Sequence, residues 1–165
     1  MIKMIPATSK ADFESISKLA RIIWYEHYPS IISIEQIEYM LKKFNSANAI
    51  EEQVADGVLF YNVMFNDEIV GYVGIKQEVD FLFIRKLYLL KAYRGKKIAK
   101  GILQFVESKA ESYNLKSIRL YVNKYNINSI LAYEKMGFVK INAMVTNIGD
   151  GFVMDDYEME KKWND

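Results

Sequence analysis

The chain has 165 residues, of which 22 are Lys or Arg and 21 are Asp or Glu, so its formal net charge is only +1 on a 51% hydrophobic background. That composition is typical of one compact domain with a sizeable core. There is no cysteine, which excludes disulfides, cysteine-ligated metals and a cysteine nucleophile. The single histidine, His27, disfavours a multi-histidine metal centre and a Ser/His/Asp hydrolase.

The near-zero charge argues against a nucleic-acid partner, and we expect no metal. Met1 to Pro6 is too short and too mixed for a signal peptide, and no stretch approaches 18 uninterrupted apolar residues. We therefore expect a cytoplasmic protein with no membrane partner. The absence of cysteine suits a reducing compartment.

The first third of the chain predicts one strand followed by helices, because its apolar residues change to helical spacing after Ser9. Ser33 followed by Gln36 resembles a capping box, and Gly57 is a natural helix stop. The predicted elements are a strand over 2–5, a helix from Ser9 to near Pro29, a second helix beginning at Ser33 and a short helix over 47–56.

The remainder predicts two hairpins around a strand–helix–strand crossover. Strands are predicted over 58–65, 69–75, 81–90, 117–122, 138–148 and 152–160. Helices are predicted between Gly95 and the stop at Asn114, and over 126–136. This order predicts an α/β (α+β) fold in which helices flank a mixed, mostly antiparallel central sheet. No linker or repeat interrupts it, so we expect a single domain over 1–165.

Residues Arg94 to Ala99 lie where a helix begins. Backbone N–H groups there lack intrahelical partners and point outward at the positive end of the helix dipole. Gly95 would let an anion approach the backbone closely. Four positive charges lie within seven residues: Arg94, Lys96, Lys97 and Lys100. They could form a solvated basic turn. Positive charge at a helix start is unfavourable next to the helix dipole, however, so the cluster favours a bound phosphate.

Two segments in order, 87–99 (LYLLKAYRGKKIA) and 126–138 (NINSILAYEKMGF), resemble the Gcn5-related N-acetyltransferase (GNAT) family, in particular its bacterial small-molecule-type members. The resemblance implies the acyl-CoA N-acyltransferase fold. It divides the domain into variable acceptor-side helices (1–57), an acetyl-CoA-binding core (58–140) and closing strands (141–165).

The resemblance also implies acetyl-CoA as co-substrate, with its pyrophosphate on the 94–99 backbone and its pantetheine arm along 87–89. The implied cofactor-binding residues are Leu87, Tyr88, Leu89, Arg94, Gly95, Lys96, Lys97, Ile98, Ala99, Asn126 and Ser129. Lys97 departs from the family pattern, which usually has glycine there.

Two residues are the catalytic candidates by the same resemblance. The backbone N–H of Leu89 would polarise the thioester carbonyl, and the hydroxyl of Tyr133 would protonate the departing thiolate. In a chain with twelve tyrosines, Tyr133 could instead be a core residue. Its spacing from Asn126 and Gly137 favours the catalytic interpretation.

The general base and the acceptor site are less specified. Glu78 and Asp80 precede the central strand and could take a proton through water or simply be solvated, and His27 could be a base, a cap or packing. Aromatic and acidic residues could together form a pocket for a cation. The candidate acceptor-binding residues are Trp24, His27, Tyr28, Glu78 and Asp155.

The sequence therefore predicts transfer of acetyl from acetyl-CoA to a primary amine of a small, possibly cationic acceptor, by direct attack in a ternary complex. Two alternatives stay open: acetylation of a protein or peptide N-terminus or lysine, and a catalytically silent acyl-CoA-binding sensor. We expect a monomer or a homodimer.

Overall fold

A computed structural model describes residues 1–95 and 97–163. The strands are β1 (Ile2–Ala7), β2 (Leu59–Phe65), β3 (Glu68–Gln77), β4 (Leu82–Leu89), β5 (Ser117–Asn123), β6 (Val139–Gly149) and β7 (Phe152–Lys162). The α-helices are α1 (Lys10–His27), α2 (Ile34–Phe44), α3 (Ala47–Ala55), α4 (Ile98–Ser112) and α5 (Ile127–Lys135), and a short 3-10 helix covers Lys91–Tyr93.

Serine side chains begin the first three helices. Ser9 accepts from the Asp12 N–H while the Asp12 carboxylate accepts from the Ser9 N–H, which is a complete capping box. Ser33 and Ser46 cap α2 and α3 with their hydroxyl oxygens, which accept from the N–H groups of Gln36 and Ala49. The predicted starts at Ser9 and Ser33 are confirmed.

The seven strands form one mixed sheet in the order β1-β2-β3-β4-β5-β7-β6, which confirms the predicted fold class. β2 and β3 are the predicted antiparallel hairpin. Their turn residues Asn66 and Asp67 have φ values of 50° and 68°, the left-handed backbone that suits the twist of a tight hairpin. β1 extends two residues beyond its predicted end because Pro6 is tolerated in an edge strand.

The described residues divide into two compact units. The first consists of Met1–Lys76 and Arg85–Phe105 and holds α1, α2, α3, strands β1 to β3, the second half of β4 and the start of α4. Its buried residues include Ile16, Ile23, Ile37, Ile50, Tyr72, Ile75 and Ile102. The helices predicted on the acceptor side thus share a core with the β1–β3 strands.

The second unit consists of Gln77–Ile84 and the described residues from Val106 onward. Within it β4 runs parallel to β5, with Leu82–Ile84 paired to Ile118–Leu120, and β7 pairs antiparallel with both β5 and β6. The parallel pair confirms the predicted crossover. Phe138, Ile118 and Met159 are fully or almost fully buried there. The single domain over 1–165 and its three segments stay a prediction.

Across the described ranges, no helix is both long enough and apolar enough to cross a bilayer.

Candidate active site

The loop before α4 has an unusual backbone. Gly95 has φ +76° and Lys97 has φ +62°, so both lie in the left-handed region. The carbonyl of Lys97 accepts from the Gly101 N–H, which makes Lys97 the residue that caps the first turn of α4. The N–H groups at the start of α4 therefore point away from the helix body, as an anion site requires. Lys96, predicted as a cofactor-binding residue, lies outside the described residues.

Gly95 leaves the loop open on one side. A Cβ built at Gly95 meets no atom of the described, non-adjacent residues within 4 Å, so none of those residues occupies the space above its backbone. Arg94, Gly95 and Lys97 are exposed, whereas Ile98 is buried and anchors the helix start. An exposed, open loop at a helix N-terminus is a geometry that fits the phosphate end of acetyl-CoA.

The Arg94 side chain joins this loop to α1 and β4. Its guanidinium donates to Nδ1 of His27 at 3.1 Å and to the carbonyl oxygen of Leu89 at 3.3 Å. Arginine is always protonated, so Nδ1 of His27 accepts and the ring proton lies on Nε2. In this state His27 serves as a partner of Arg94, a role that sequence reasoning did not identify.

Two further contacts hold the loop. The carboxylate of Glu26, next to His27 at the end of α1, accepts from the Lys91 N–H at 3.0 Å. The hydroxyl of Tyr93 donates to Glu68 at 2.6 Å, which raises the pKa of Tyr93. The end of α1 and the start of β3 thus fix the position of the loop.

Leu87, Tyr88 and Leu89 lie past Ile84, where the parallel register between β4 and β5 ends. On the β3 side, Gly71 packs against this segment so closely that an added Cβ would be 2.3 Å from the Tyr88 carbonyl oxygen and 2.7 Å from Leu89 Cδ2. The register between β2 and β3 shifts beside Gly71. Only glycine permits this approach of β3 to Tyr88 and Leu89.

Four rings form an aromatic cluster: Trp24 on α1, Tyr28 directly after α1, Tyr72 on β3 and Tyr88 on β4. The Trp24 ring centroid lies 4.4 Å from that of Tyr28 and 5.5 Å from that of Tyr88, and the Tyr72 and Tyr88 centroids are 5.3 Å apart. Trp24 and Tyr72 are buried, whereas Tyr28 and Tyr88 are half-exposed. The structure thus brings Trp24, Tyr28 and Tyr88 together and adds Tyr72.

A polar network that sequence reasoning missed continues from this cluster. The indole N–H of Trp24 donates to the Tyr72 hydroxyl at 3.4 Å, and that hydroxyl donates to Asn45 Oδ1 at 3.2 Å. The amine of Lys86 donates to the same Asn45 oxygen at 3.0 Å and to the carbonyl of Phe44. No sequence pattern indicated the network, because its members lie far apart along the chain.

In the second unit, Asn126 precedes α5. It is buried, and its carbonyl accepts from the Ile130 N–H, yet its side chain makes no capping bond to the helix. Ser129 and Tyr133 follow on α5 and are half-buried. The Tyr133 ring packs edge-on against the buried Phe138, with centroids 5.6 Å apart. This one-sided ring contact is compatible with a proton donor as well as with a packing role.

The acidic candidates differ in their surroundings. Asp155 forms an ion pair with Lys124 at 2.5 Å, which raises the pKa of that lysine. Burial and the neighbouring Asp155 raise the pKa of the buried Asp156 to about 6. Glu78 is half-buried and Asp80 is exposed, and a Glu78 N–H bond to the Phe81 carbonyl shapes their loop. Asp155 is therefore already paired with the Lys124 ammonium before any acceptor binds.

No group of three or more His, Cys, Asp or Glu side chains placed to hold a metal ion occurs in the part of the chain that the structure describes.

Comparison with known proteins identifies the family. Residues 14–138 match the model of the acetyltransferase (GNAT) family. The chain belongs to the GNAT acetyltransferase family. It is therefore an acetyl-CoA-dependent N-acetyltransferase, and the fold and co-substrate implied by the two sequence segments are confirmed.

Two relatives of this GNAT protein come from Thermoplasma acidophilum. A spermidine N(1)-acetyltransferase is 29% identical over 157 residues, covering 92% of each chain. The crystal structure of the PaiA N-acetyltransferase in complex with coenzyme A is 26% identical, covers 99% of each chain and has a TM-score of 0.81. A GCN5-related N-acetyltransferase from Rhodopseudomonas palustris, 15% identical, has the same fold, with a TM-score of 0.79 over 99% of this chain and 95% of that one.

Proposed function

We propose that this GNAT protein acetylates a primary amine of a small cationic acceptor, of the polyamine class, by direct attack in a ternary complex. The observation that carries the proposal is the aromatic cluster, whose half-exposed rings Tyr28 and Tyr88 lie beside the β4 segment that would hold the thioester. Ring faces attract ammonium groups by about 0.5–2 kcal/mol. A relative named spermidine N(1)-acetyltransferase supports the same acceptor class.

Acetyl-CoA supplies the acetyl group, and its phosphates are proposed to bind the backbone from Arg94 to Ala99. The left-handed Gly95, the open space above it and the start of α4 support this assignment. The pantetheine arm is proposed to follow Leu87 to Leu89, because their backbone lies past the end of the parallel register. Asn126, whose side chain is not used as a helix cap, and Ser129 are proposed to bind the same arm.

Two groups of this chain are proposed to act in the transfer. The Leu89 N–H would stabilise negative charge on the thioester oxygen as the amine nitrogen bonds to the carbonyl carbon. The Tyr133 hydroxyl would give its proton to the sulfur as the carbon–sulfur bond breaks. A proton from the amine must also leave. Glu78, Asp80 and His27 stay the candidates for that task, and Nδ1 of His27 already accepts from Arg94.

The acceptor class is tested with a panel of amines and a thiol-release assay. The panel contains spermidine, 1,4-diaminobutane, 4-amino-1-butanol, an aminoglycoside and a peptide with a free N-terminus. We expect the polyamines to have the highest kcat/KM. Preferred turnover of the peptide, or CoA binding without thiol release for any amine, would show that a peptide acetyltransferase or an acyl-CoA sensor describes the protein better.

Tyr28→Leu tests the aromatic cluster directly. Removing one half-exposed ring face should lower kcat/KM for 1,4-diaminobutane by about tenfold, while 4-amino-1-butanol changes by less than about twofold. Tyr25→Leu is the matched control, because Tyr25 lies on α1 three residues before Tyr28 but its hydroxyl contacts Glu38. Equal losses for both amines in Tyr28→Leu would mean that the ring only packs α1.

Localisation in a bacterial cytoplasm is also proposed, supported by a chain without cysteine.

A further inference from the structure

Lys86 brings a titratable amine to the acceptor-side helices. It lies on β4 two residues before Tyr88, and its half-buried side chain reaches the junction between α2 and α3. There the amine donates to the Phe44 carbonyl and to Asn45 Oδ1, and it lies 5.8 Å from the centroid of the Phe60 ring. The contacts of this amine are thus two neutral oxygens and a ring.

The same network couples Lys86 to the aromatic cluster. Asn45 Oδ1 accepts from both the Lys86 amine and the Tyr72 hydroxyl. The Tyr72 ring in turn packs at a tilt against the Tyr88 ring, and the Tyr72 hydroxyl accepts from the Trp24 indole N–H. One shared oxygen therefore separates the Lys86 amine from a member of the cluster.

No described carboxylate pairs with the Lys86 amine to balance the positive charge of its protonated form. The charged group that acts on Lys86 is Arg85 on the same strand, and it is repulsive. The titratable group facing it from β3 is Tyr72, whose pKa is raised by burial, so that it stays neutral. The α2–α3 junction contributes only the uncharged Phe44 and Asn45 oxygens. Burial, and then Arg85, lower the pKa of Lys86 to about 7.

A neutral amine matches this site. It has two N–H donors, which the oxygens of Phe44 and Asn45 satisfy, whereas an ammonium carries a third donor and a charge that must be desolvated. The neutral form is thus compatible with a second cation near the aromatic cluster. The protonated form would repel one.

We propose that Lys86 is a specificity-determining residue that sets the charge of the acceptor pocket, so that an acceptor with a second ammonium binds well only when the Lys86 amine is uncharged. The proposal rests on the proposed function, since it assumes that the acceptor binds at the aromatic cluster. Lys86 acts through the field at the pocket and is not assigned a catalytic step.

The test compares kcat/KM for 1,4-diaminobutane with that for 4-amino-1-butanol between about pH 6 and pH 8.5. Alkyl ammonium groups have pKa values of about 10, so the distal amine of the diamine stays charged throughout. The ratio of the two kcat/KM values cancels the deprotonation of the attacking amine. We expect it to rise about tenfold as pH increases through the range in which Lys86 loses its proton.

Three variants assign the effect. Lys86→Met should make the ratio independent of pH and high, and Lys86→Arg should make it low at every pH, because arginine stays protonated. His27→Gln should keep the wild-type pH dependence. If the pH dependence disappears in His27→Gln and persists in Lys86→Met, the titrating group is His27 and the proposal is wrong.

The pH dependence of the kcat/KM ratio in the wild-type protein tests the role of Lys86 even if a Lys86 variant fails to fold. A ratio that does not change with pH, with the diamine still acetylated, overturns the role of Lys86 and leaves the proposed function intact. Failure to acetylate either amine overturns both.

Discussion

At the scale of single residues, the backbone of Lys97 has an energetic consequence. Its φ of +62° lies in the left-handed region, which costs an L-residue about 1–2 kcal/mol and glycine almost nothing. The GNAT family usually has glycine here, so this chain keeps the loop conformation with a residue that adopts it at a cost. The Lys97 side chain also adds one exposed positive charge beside the proposed phosphate site.

Lys97→Gly and Lys97→Ala separate the two effects. Both variants remove the charge and should weaken CoA binding more at low than at high ionic strength, because salt screens exposed charges within about 8 Å. Only Lys97→Gly also relaxes the backbone, so its free energy of unfolding should exceed that of Lys97→Ala by about 1 kcal/mol. Urea denaturation and calorimetry with CoA measure both quantities. Tighter CoA binding by Lys97→Gly at every salt concentration would show that the side chain obstructs the cofactor.

Tyr133→Phe tests the proposed role of the Tyr133 hydroxyl as the proton donor to the leaving thiolate. Tyr133→Phe keeps the ring that packs on Phe138, so the melting temperature and the affinity for CoA should be unchanged. Without the hydroxyl, kcat should fall on the order of 10²-fold. Tyr125→Phe, at an exposed position before α5, is the control and should keep wild-type kcat. Wild-type turnover by Tyr133→Phe would return the residue to a packing role.

At the scale of elements, β3 determines how the central strand can be used. Its two buried glycines, Gly71 and Gly74, face different neighbours. A Cβ at Gly71 would meet the Tyr88 carbonyl oxygen at 2.3 Å, whereas at Gly74 it would meet the edge of the Phe60 ring at 3.0 Å. Backbone cannot move aside as a ring can, so the close approach of β3 to the Tyr88–Leu89 segment of β4 depends on the missing side chain of Gly71.

Gly71→Ala and Gly74→Ala form a matched pair. Gly71→Ala should lower the free energy of unfolding by about 1–3 kcal/mol, since overpacking shifts a strand, and should also weaken CoA binding through the displaced Leu89. Gly74→Ala should cost less stability and leave the affinity for CoA unchanged. Denaturation curves and CoA titrations give the two comparisons. Equal CoA affinity in both variants would separate Gly71 from the cofactor site.

At the scale of the whole molecule, packing of the helices near β4 brings together residues that are distant in the sequence. α1 precedes β4 by more than fifty residues, yet Glu26 and His27 at its end contact Lys91 and Arg94. Asn45, between α2 and α3, likewise reaches Lys86. Chain connections between the helices and β4 are long, so these contacts depend on tertiary packing and not on local sequence.

The sequence by itself determined the elements, most of their boundaries and the family. Capping serines, helical spacing and the Asn66–Asp67 turn act through neighbours in the chain, so their outcome is readable locally. The two GNAT segments are local for the same reason: a loop and a helix start are formed by consecutive residues. The prediction of an anion site at Gly95 is likewise local, because it uses only the backbone of that residue and the helix start beside it.

Only the tertiary structure decided which side chains contact one another across the elements. Tertiary packing brings Arg94 to His27, places the rings of Trp24 and Tyr72 against Tyr88, and brings the Lys86 amine to the side-chain oxygen of Asn45. Each of these contacts joins residues at least sixteen positions apart. Local periodicity specifies which face of an element is buried, but the identity of the neighbour on that face comes only from how the elements pack.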